Sequence, residues 1–114
     1  MTIGVDVVDL QRFRETIARS PRLTDRFFTE DERRHSTSSP DAATALAGTF
    51  AAKEAVMKAL GLTPAPAWAR RICITRSPSG RPAALVEGYA PVEVSISHDG
   101  PVAVALALSL GPHA

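Results

Sequence analysis

Residues 50–61 read FAAKEAVMKALG and lie in the middle of the longest helix that the sequence predicts. On a wheel of about 100° per residue, the apolar side chains of this region gather on one arc, namely Leu46, Phe50, Val56, Met57 and Leu60. Lys53 falls inside that arc, Glu54 lies at its border, and Lys58 follows one turn later. The stretch therefore predicts a helix with a buried face and three charged side chains on or beside it.

The ends of this helix are marked by residues that commonly flank helices. Its start should lie in the polar segment SSPDAAT, with Ser39 as the N-cap and Pro40 at the first helical position. Gly61, just past the last apolar residue, predicts the C-terminus. The helix should therefore run for about twenty residues.

The chain begins with IGVDVVDL, in which Ile3, Val5 and Val7 occupy every second position. This period of two predicts a strand whose well-buried face carries these three side chains. Asp6 then points the other way.

Two helices should connect this strand to the long helix. The first runs from about Asp9 and ends at Ser20-Pro21, because the residue before a proline disfavours the helical conformation. The sequence TEDE predicts a short second helix, in which Thr29 is the N-cap and Glu32 closes a capping box.

The part of the chain after the long helix has the pattern of strands. ICIT and PAALV flank residues 77–80, where a proline and a glycine suit a type I turn, so these two segments should pair as a hairpin. VEVSIS alternates apolar and polar residues, and VAVALAL follows it after a short turn.

Composition places the chain among ordinary globular proteins. With 114 residues, 45% hydrophobic and 22% charged, it fits one domain spanning residues 1–114. The longest apolar run, residues 102–108, is far shorter than the roughly 20 residues that span a bilayer. The N-terminus also lacks a signal-peptide pattern, so we expect a cytoplasmic protein with no membrane partner. Cys73 is the only cysteine, which excludes an intrachain disulfide.

Charge is nearly balanced overall but uneven along the chain. A net charge of +1 gives no support to nucleic-acid binding. Residues 12–26, however, carry five arginines against two acidic residues. This segment is either a solvated helix face or a docking surface for an acidic partner.

Some polar side chains occupy positions where apolar ones are expected, and their types suit metal and phosphate chemistry. Asp6 on the first strand and Glu54 on the long helix can together form a hard-oxygen site for Mg²⁺. Lys58 beside them can neutralise a phosphate or protonate a leaving group. His98, at the end of a strand, can also reach a phosphate.

A simpler interpretation of the same residues is open at this point. Glu54 and Lys58 have the favoured order for an exposed i,i+4 ion pair, which stabilises a helix by about 0.2–0.5 kcal/mol. Spacing alone favours that interpretation. A single aspartate in a strand is also more often a cap or turn residue, and a single histidine near Gly-Pro more often a loop residue.

Five segments together carry a resemblance to a known family. IGVDVVDLQRF, FFTEDE, LAGTFAAKEAVMKALG, SGRP and VSISHD, in this order, resemble the holo-acyl-carrier-protein synthases, the small bacterial type of 4'-phosphopantetheinyl transferase. The resemblance implies an α+β fold of the phosphopantetheinyl transferase type, in which a small antiparallel sheet packs against a long central helix. It also implies Mg²⁺-dependent transfer of phosphopantetheine from coenzyme A to a serine of an apo acyl carrier protein, with release of 3',5'-ADP.

The resemblance also implies roles for individual residues. Asp6 and Glu54 match the family's metal ligands, and Lys58 matches a lysine near the pyrophosphate that suits protonation of the departing phosphate. His98 matches a residue near the coenzyme A nucleotide. Arg12 matches an arginine associated with docking of the carrier protein, and the local charge count adds two further candidates, Arg19 and Arg22.

The acceptor serine must also lose its proton. Glu54 can accept it through a metal-bound water, or that water can act with a carboxylate of the partner, and we favour the first route.

The resemblance further implies a homotrimer, because members of this short class build the site between neighbouring subunits.

Two departures from the family pattern keep other functions open. Thr49 stands where the family usually has an arginine, and residues 36–46 contain no Lys or Arg. A non-catalytic relative that binds a carrier protein or a partner subunit would explain both, and a metal-dependent pyrophosphate hydrolase is the third alternative.

Overall fold

The computed structural model of the protein describes residues 1–62 and 66–111. The strands within these ranges are β1 (Thr2–Asp9), β2 (Ile72–Arg76), β3 (Pro82–Val86), β4 (Val92–Asp99) and β5 (Val102–Ser109). The helices are α1 (Leu10–Arg19), α2 (Pro21–Phe27), α3 (Glu30–Thr37), α4 (Ala42–Leu60) and α5 (Pro66–Ala69).

The strands form one antiparallel sheet in the order β1-β5-β4-β3-β2. The long helix α4 packs on this sheet and contacts β1, β5, β4 and β2. The core lies between them and is rich in alanine on the helix side, where Ala47, Ala51, Ala52 and Ala55 are fully buried. The predicted α+β fold, with a small antiparallel sheet against a long central helix, is confirmed.

Several local predictions are confirmed in detail. Thr29 and Glu32 form the predicted capping box at the start of α3. The backbone N–H of Gly80 donates to the carbonyl of Ser77 (2.8 Å), as the predicted turn between β2 and β3 requires. Gly61 ends α4 with φ +67°, a left-handed conformation that glycine adopts without steric cost.

The start of α4 was predicted two residues too early. Asp41, and not Ser39, is the N-cap, because its carboxylate accepts hydrogen bonds from the backbone N–H (3.1 Å) and the hydroxyl (2.8 Å) of Thr44. Pro40 therefore precedes the helix. Aspartate and serine cap helices about equally well, so the segment SSPDAAT contained two suitable residues and the sequence could not rank them.

The sequence analysis also missed helix α2. Pro21 was expected only to end the preceding helix, yet it opens α2 at the first helical position. The missing N–H of proline does no harm there, since the first turn of a helix lacks intrahelical partners for its N–H groups.

The predicted buried face of β1 was wrong. Ile3, Val5 and Val7 are 60%, 50% and 62% exposed, whereas Gly4 and Val8 are buried. Alternation separates the two faces of a strand but does not tell which one faces the helix. Packing against α4 decides which face of β1 is buried. The helix approaches the strand most closely at Gly4, where the missing side chain leaves room for it.

Gly4 is the position at which β1 and α4 are closest. A Cβ atom placed on it would overlap the carbonyl oxygen of Ala55 and lie 2.7 Å from the backbone nitrogen of Ala59. Both are backbone atoms of a helix, so neither can move without displacing α4 as a whole. The glycine therefore sets the distance between strand and helix.

We expect Gly4→Ala to lower the free energy of unfolding by about 3 kcal/mol or more, since overpacking against rigid atoms typically costs 1–3 kcal/mol. Gly48→Ala is the matched control, because its Cβ would meet a side-chain methyl of Ile96 at 3.0 Å. That methyl can shift, and alanine favours the helix by up to about 1 kcal/mol. Urea unfolding of both variants measures the difference, and equal losses would contradict this account of Gly4.

Candidate functional site

Asp6 lies in the middle of β1, on the strand face that packs against α4. Its neighbours Val5 and Val7 point to the opposite, exposed face. The carboxylate accepts a hydrogen bond from Nζ of Lys58 at 3.1 Å, and the same ammonium group donates to the carbonyl of Val5 at 2.9 Å. The contact that Gly4 permits between β1 and α4 therefore brings a strand carboxylate next to a helix ammonium group.

Glu54 stands one turn before Lys58 on α4 and is half-buried. Burial raises the pKa of its carboxyl group, the nearby Asp6 carboxylate raises that pKa further, and Lys58 opposes both effects. Lys58 makes its ion pair with Asp6 and not with Glu54 in the described part of the chain. The exposed Glu54–Lys58 pair, which spacing alone favoured, is therefore not formed.

Asp6 and Glu54 line the same cavity, which has a volume of about 300 Å³. Asp9, Arg12 and Phe50 are among its other lining residues. Within residues 1–62 and 66–111, no group of three or more His, Cys, Asp or Glu side chains is arranged to hold a metal ion. Two carboxylates and several waters are, however, a usual ligand set for Mg²⁺, so this pair fits a magnesium ion that keeps part of its hydration shell.

His98 is placed elsewhere, in a second cavity of about 720 Å³. It lies within β4, one residue before the strand ends. Among the residues that the structure describes, β3 pairs with β4 at Ala83–Glu93 and Ala84–Val92, so β3 does not pair with the second half of β4. The second cavity is lined by the end of β4, by Arg76 of β2 and by the N-terminal turns of α4.

The predicted docking arginines lie on the two helices that follow β1. Arg12 is on the first turn of α1 and lines the cavity of Asp6 and Glu54. Arg19 ends α1, and Arg22 lies in α2, and all three are exposed. A basic surface therefore begins at the rim of the carboxylate cavity.

A family model for the 4'-phosphopantetheinyl transferase superfamily matches residues 2–107. The chain belongs to this superfamily. A protein of Salinispora arenicola named holo-[acyl-carrier-protein] synthase is 40% identical to it, over 96% of this chain and 97% of the relative. The predicted membership of the holo-acyl-carrier-protein synthases, and with it the prediction of an enzyme, is confirmed.

Solved structures of the family agree with the fold. The Bacillus anthracis holo-(acyl-carrier-protein) synthase, described as a complex with CoA (3',5'-ADP), has a TM-score of 0.81 and 29% identity, covering 93% of this chain and 92% of that one. The Helicobacter pylori enzyme, described as a complex with coenzyme A, has a TM-score of 0.81 and 27% identity, covering 93% and 97%.

Lys53 lies on the buried face of α4 in this phosphopantetheinyl transferase, as the sequence predicts, and its partner is a residue of α3. Lys53 is fully buried and donates to the carboxylate of Glu32 at 2.6 Å. Burial lowers the pKa of Lys53, and the charge of Glu32 opposes that effect. A lysine inside an apolar arc predicts a buried acidic partner. The sequence gives Glu32 a local role in the capping box, and this role hides the second one. In the structure the Glu32 carboxylate accepts hydrogen bonds both from the backbone N–H of Thr29 and from Lys53.

Arg76 was missed altogether. Its guanidinium group, half-buried at the end of β2, donates weakly to the carbonyl of Gly80 (3.4 Å) and has no carboxylate within ion-pair distance among the residues that the structure describes. It contributes a positive charge to the cavity of His98. Nothing in the hairpin sequence distinguished Arg76 from an ordinary solvated arginine.

Proposed function

We propose that this protein transfers the 4'-phosphopantetheine group from coenzyme A to a serine of an apo acyl carrier protein, in a Mg²⁺-dependent reaction that releases 3',5'-ADP. The observation that carries the proposal is the meeting of Asp6, Glu54 and Lys58 beside one cavity, with the basic surface of Arg12 at its rim. Family membership and the coenzyme A complexes of similar proteins support it. We further propose that residues 1–114 form one transferase domain.

The residues of the first cavity suit phosphoryl transfer, which depends chiefly on positioning and on neutralising phosphate charge. Asp6 and Glu54 would hold Mg²⁺, which supplies positive charge to the diphosphate. The ammonium group of Lys58 has three N–H donors, of which two are used by Asp6 and Val5, so the third is free for a phosphate oxygen. From there Lys58 can give a proton to the departing phosphate.

Glu54 is our candidate for the general base. A carboxylate whose pKa is raised by burial and by a neighbouring negative charge holds a proton more strongly than an exposed one. It can therefore accept the proton of the acceptor serine through a water molecule in the cavity. Asp6, which is held by Lys58, keeps the role of a metal ligand.

The decisive experiment incubates the purified protein with an apo acyl carrier protein, coenzyme A and Mg²⁺. We expect the mass of the carrier to increase by one phosphopantetheine group, 3',5'-ADP to appear in equal amount, and EDTA to abolish both. A carrier that keeps its mass while remaining bound to the protein would favour the non-catalytic alternative. Cleavage of coenzyme A without any carrier would favour the pyrophosphate hydrolase.

We assign the two substrates to different residues, with carrier docking at Arg12, Arg19 and Arg22 and nucleotide binding at His98. Arg12→Ala should raise KM for the carrier protein roughly tenfold and leave KM for coenzyme A unchanged, because a charge-assisted hydrogen bond contributes about 1.5–3 kcal/mol. His98→Ala should do the reverse. Steady-state kinetics with each substrate varied in turn measure both, and each variant is the control for the other. If both variants changed the KM of the same substrate, the assignment of the two substrates to different residues would be contradicted.

We also propose a homotrimer. The sheet face opposite α4 carries exposed apolar side chains on neighbouring strands, with Val5 of β1 (50% exposed) paired to Leu106 of β5 (46% exposed). Together with Ile3 and Val7 they form an apolar patch of the kind that marks protein interfaces. Light scattering should give three times the mass of the chain, and Val5→Glu should lower it to that of one chain. A monomeric wild-type protein would contradict the proposal.

None of the helices in residues 1–62 and 66–111 combines the length and the apolar character needed to cross a bilayer. The cytoplasmic location stays a prediction from the sequence.

A further inference from the structure

Three consecutive residues of α4 face three different parts of the molecule. Lys53 is fully buried and turned towards α2, α3 and β2. Glu54 lines the carboxylate cavity. The backbone of Ala55 is in contact with Gly4 of β1. The candidate catalytic glutamate therefore lies directly between two points at which α4 is attached to the rest of the fold.

The attachment at Lys53 is made of directional contacts. Its ammonium group donates to the Glu32 carboxylate (2.6 Å) and to the carbonyl of Phe27 (2.8 Å). The same carboxylate accepts hydrogen bonds from the backbone N–H groups of Thr29 (2.8 Å) and Ile74 (2.7 Å). The pair of side chains thus joins α4 to the end of α2, to the start of α3 and to β2.

These contacts restrict rotation of α4 more than apolar packing would. Hydrophobic contacts have no preferred angle of their own, whereas hydrogen bonds weaken steeply when their angle changes, so the polar contacts add a restraint on rotation to that of close packing. The ion pair and the three further hydrogen bonds of its two side chains are weakened when either partner moves. Because successive helix residues differ by about 100° in direction, fixing Lys53 also fixes the direction in which Glu54 leaves the helix.

Stability alone gives little reason for such a pair. Replacing a buried ion pair by uncharged residues of similar volume is often neutral or stabilising, since the attraction between the charges only offsets the cost of removing them from water. Neither Lys53 nor Glu32 lines the carboxylate cavity. An effect of either residue on turnover would therefore be indirect, and Glu54, the neighbour of Lys53 on α4, is the cavity residue nearest to it in the chain.

We propose that Lys53 and Glu32 are positioning residues, which hold α4 at the rotation where Glu54 faces Asp6 across the cavity. The inference rests on the proposed function, because it takes the carboxylates of Glu54 and Asp6 as the pair that takes part in the reaction. It adds a role for a buried lysine and a buried glutamate that touch neither substrate nor metal. Residues hydrogen-bonded directly to metal ligands typically contribute 10–100-fold to metal affinity or activity, which sets the scale for residues that act on Glu54 through the helix.

The test uses the full-length protein with the ion pair neutralised, as the double variant Lys53→Met with Glu32→Gln. Val56→Ala is the matched control, because Val56 is also fully buried on α4 and its truncation leaves the polar contacts in place. Two quantities are measured well below the melting temperature of each protein. They are kcat and KM for transfer, and the dissociation constant of Mn²⁺, obtained from the electron paramagnetic resonance signal of the free ion.

We expect the double variant to lose at least about tenfold in kcat and in Mn²⁺ affinity, while KM for coenzyme A changes less than about twofold. Val56→Ala should lower the melting temperature but keep both constants within about twofold of wild type. Wild-type kcat and Mn²⁺ affinity in a folded double variant would overturn the proposal. Equal losses in Val56→Ala would also overturn it, because they would point to general loosening of the helix.

A second variant covers the case in which the double variant does not fold. Glu32→Asp keeps both charges but draws the carboxylate back by one methylene group, so it should reduce kcat and Mn²⁺ affinity in parallel. Unchanged values would overturn the proposal. The Mn²⁺ measurement also distinguishes failure of the positioning role from failure of the proposed function. A wild-type protein that transfers no phosphopantetheine contradicts the proposed function. The ratio of the Mn²⁺ affinities of variant and wild type still tests the positioning role.

Discussion

Glu54→Gln is expected to lower kcat for phosphopantetheine transfer by at least about a hundredfold and to leave the fold intact. The substitution removes the charge of a proposed metal ligand that is also the candidate base, and proton transfer by a positioned side chain alone contributes about 10²–10⁴-fold. Glutamine has nearly the same volume, so the cavity keeps its shape. Transfer measured by intact mass of the carrier at saturating Mg²⁺ checks the result.

The same variant should be at least as stable as the wild type when no metal is present. In the folded protein, burial and the Asp6 carboxylate raise the pKa of Glu54 above its ordinary value of 4.5. A raised pKa means that the folded state binds the proton more tightly than the unfolded chain. The stability contributed by this carboxyl group is therefore present below pH 4.5 and is lost as the pH rises through the folded-state pKa.

Melting temperatures in EDTA across a pH series test this sign. Glu54→Gln should match the wild type at acidic pH and gain an advantage as pH rises. Glu87→Gln is the control, because Glu87 is exposed and lies outside the carboxylate cavity, and it should show neither effect. Wild-type turnover in Glu54→Gln with the metal still bound would remove Glu54 from the mechanism.

The two lysines of the chain should give opposite results when each is replaced by alanine. Lys53→Ala is expected to lower the free energy of unfolding by about 3–5 kcal/mol, because it leaves the buried charge of Glu32 without its partner. For a domain of this size that loss should lower the melting temperature by more than about 10 °C. It is a large part of the 5–15 kcal/mol that typically stabilises a folded protein.

Lys58→Ala should be nearly neutral for stability and severe for activity. Its side chain is 55% exposed and that of its partner Asp6 is 18% exposed, so the pair should contribute about 1 kcal/mol, the upper end of the range for surface ion pairs. Its loss should nevertheless lower kcat about a hundredfold, since Lys58 is the proposed proton donor to the departing phosphate. Calorimetry and single-turnover kinetics on both variants check the comparison. A stable Lys53→Ala protein, or an active Lys58→Ala protein, would contradict the separate roles.

The local structure of this chain follows from short segments of its sequence. The capping box of Thr29 and Glu32, the left-handed Gly61 and the turn at Gly80 each depend on hydrogen bonds or dihedral angles within a few residues. Such signals are complete in the sequence, so these helix ends and this turn could be predicted. Family membership was also evident, because the motifs that carry it are contiguous.

Placement of side chains between distant segments required the tertiary structure. Lys53 pairs with a residue 21 positions away, and Lys58 pairs with one 52 positions away, so the two lysines of one helix act in different surroundings. The sequence identified Asp6, Glu54 and Lys58 as a possible group, but it put the wrong face of β1 into the core and did not separate the cavity of His98 from that of Asp6 and Glu54.

The sequence by itself determined all five strands, helices α1, α3 and α4, and the family, because periodicity, capping signals and contiguous motifs act over a few residues. Only the tertiary structure decided which residues of these elements meet. The physical reason is the close approach at Gly4, where two backbones come into contact and so fix which face of the strand and which turn of the helix share a cavity. Contacts of that kind depend on the shapes of both partners, and neither segment specifies them alone.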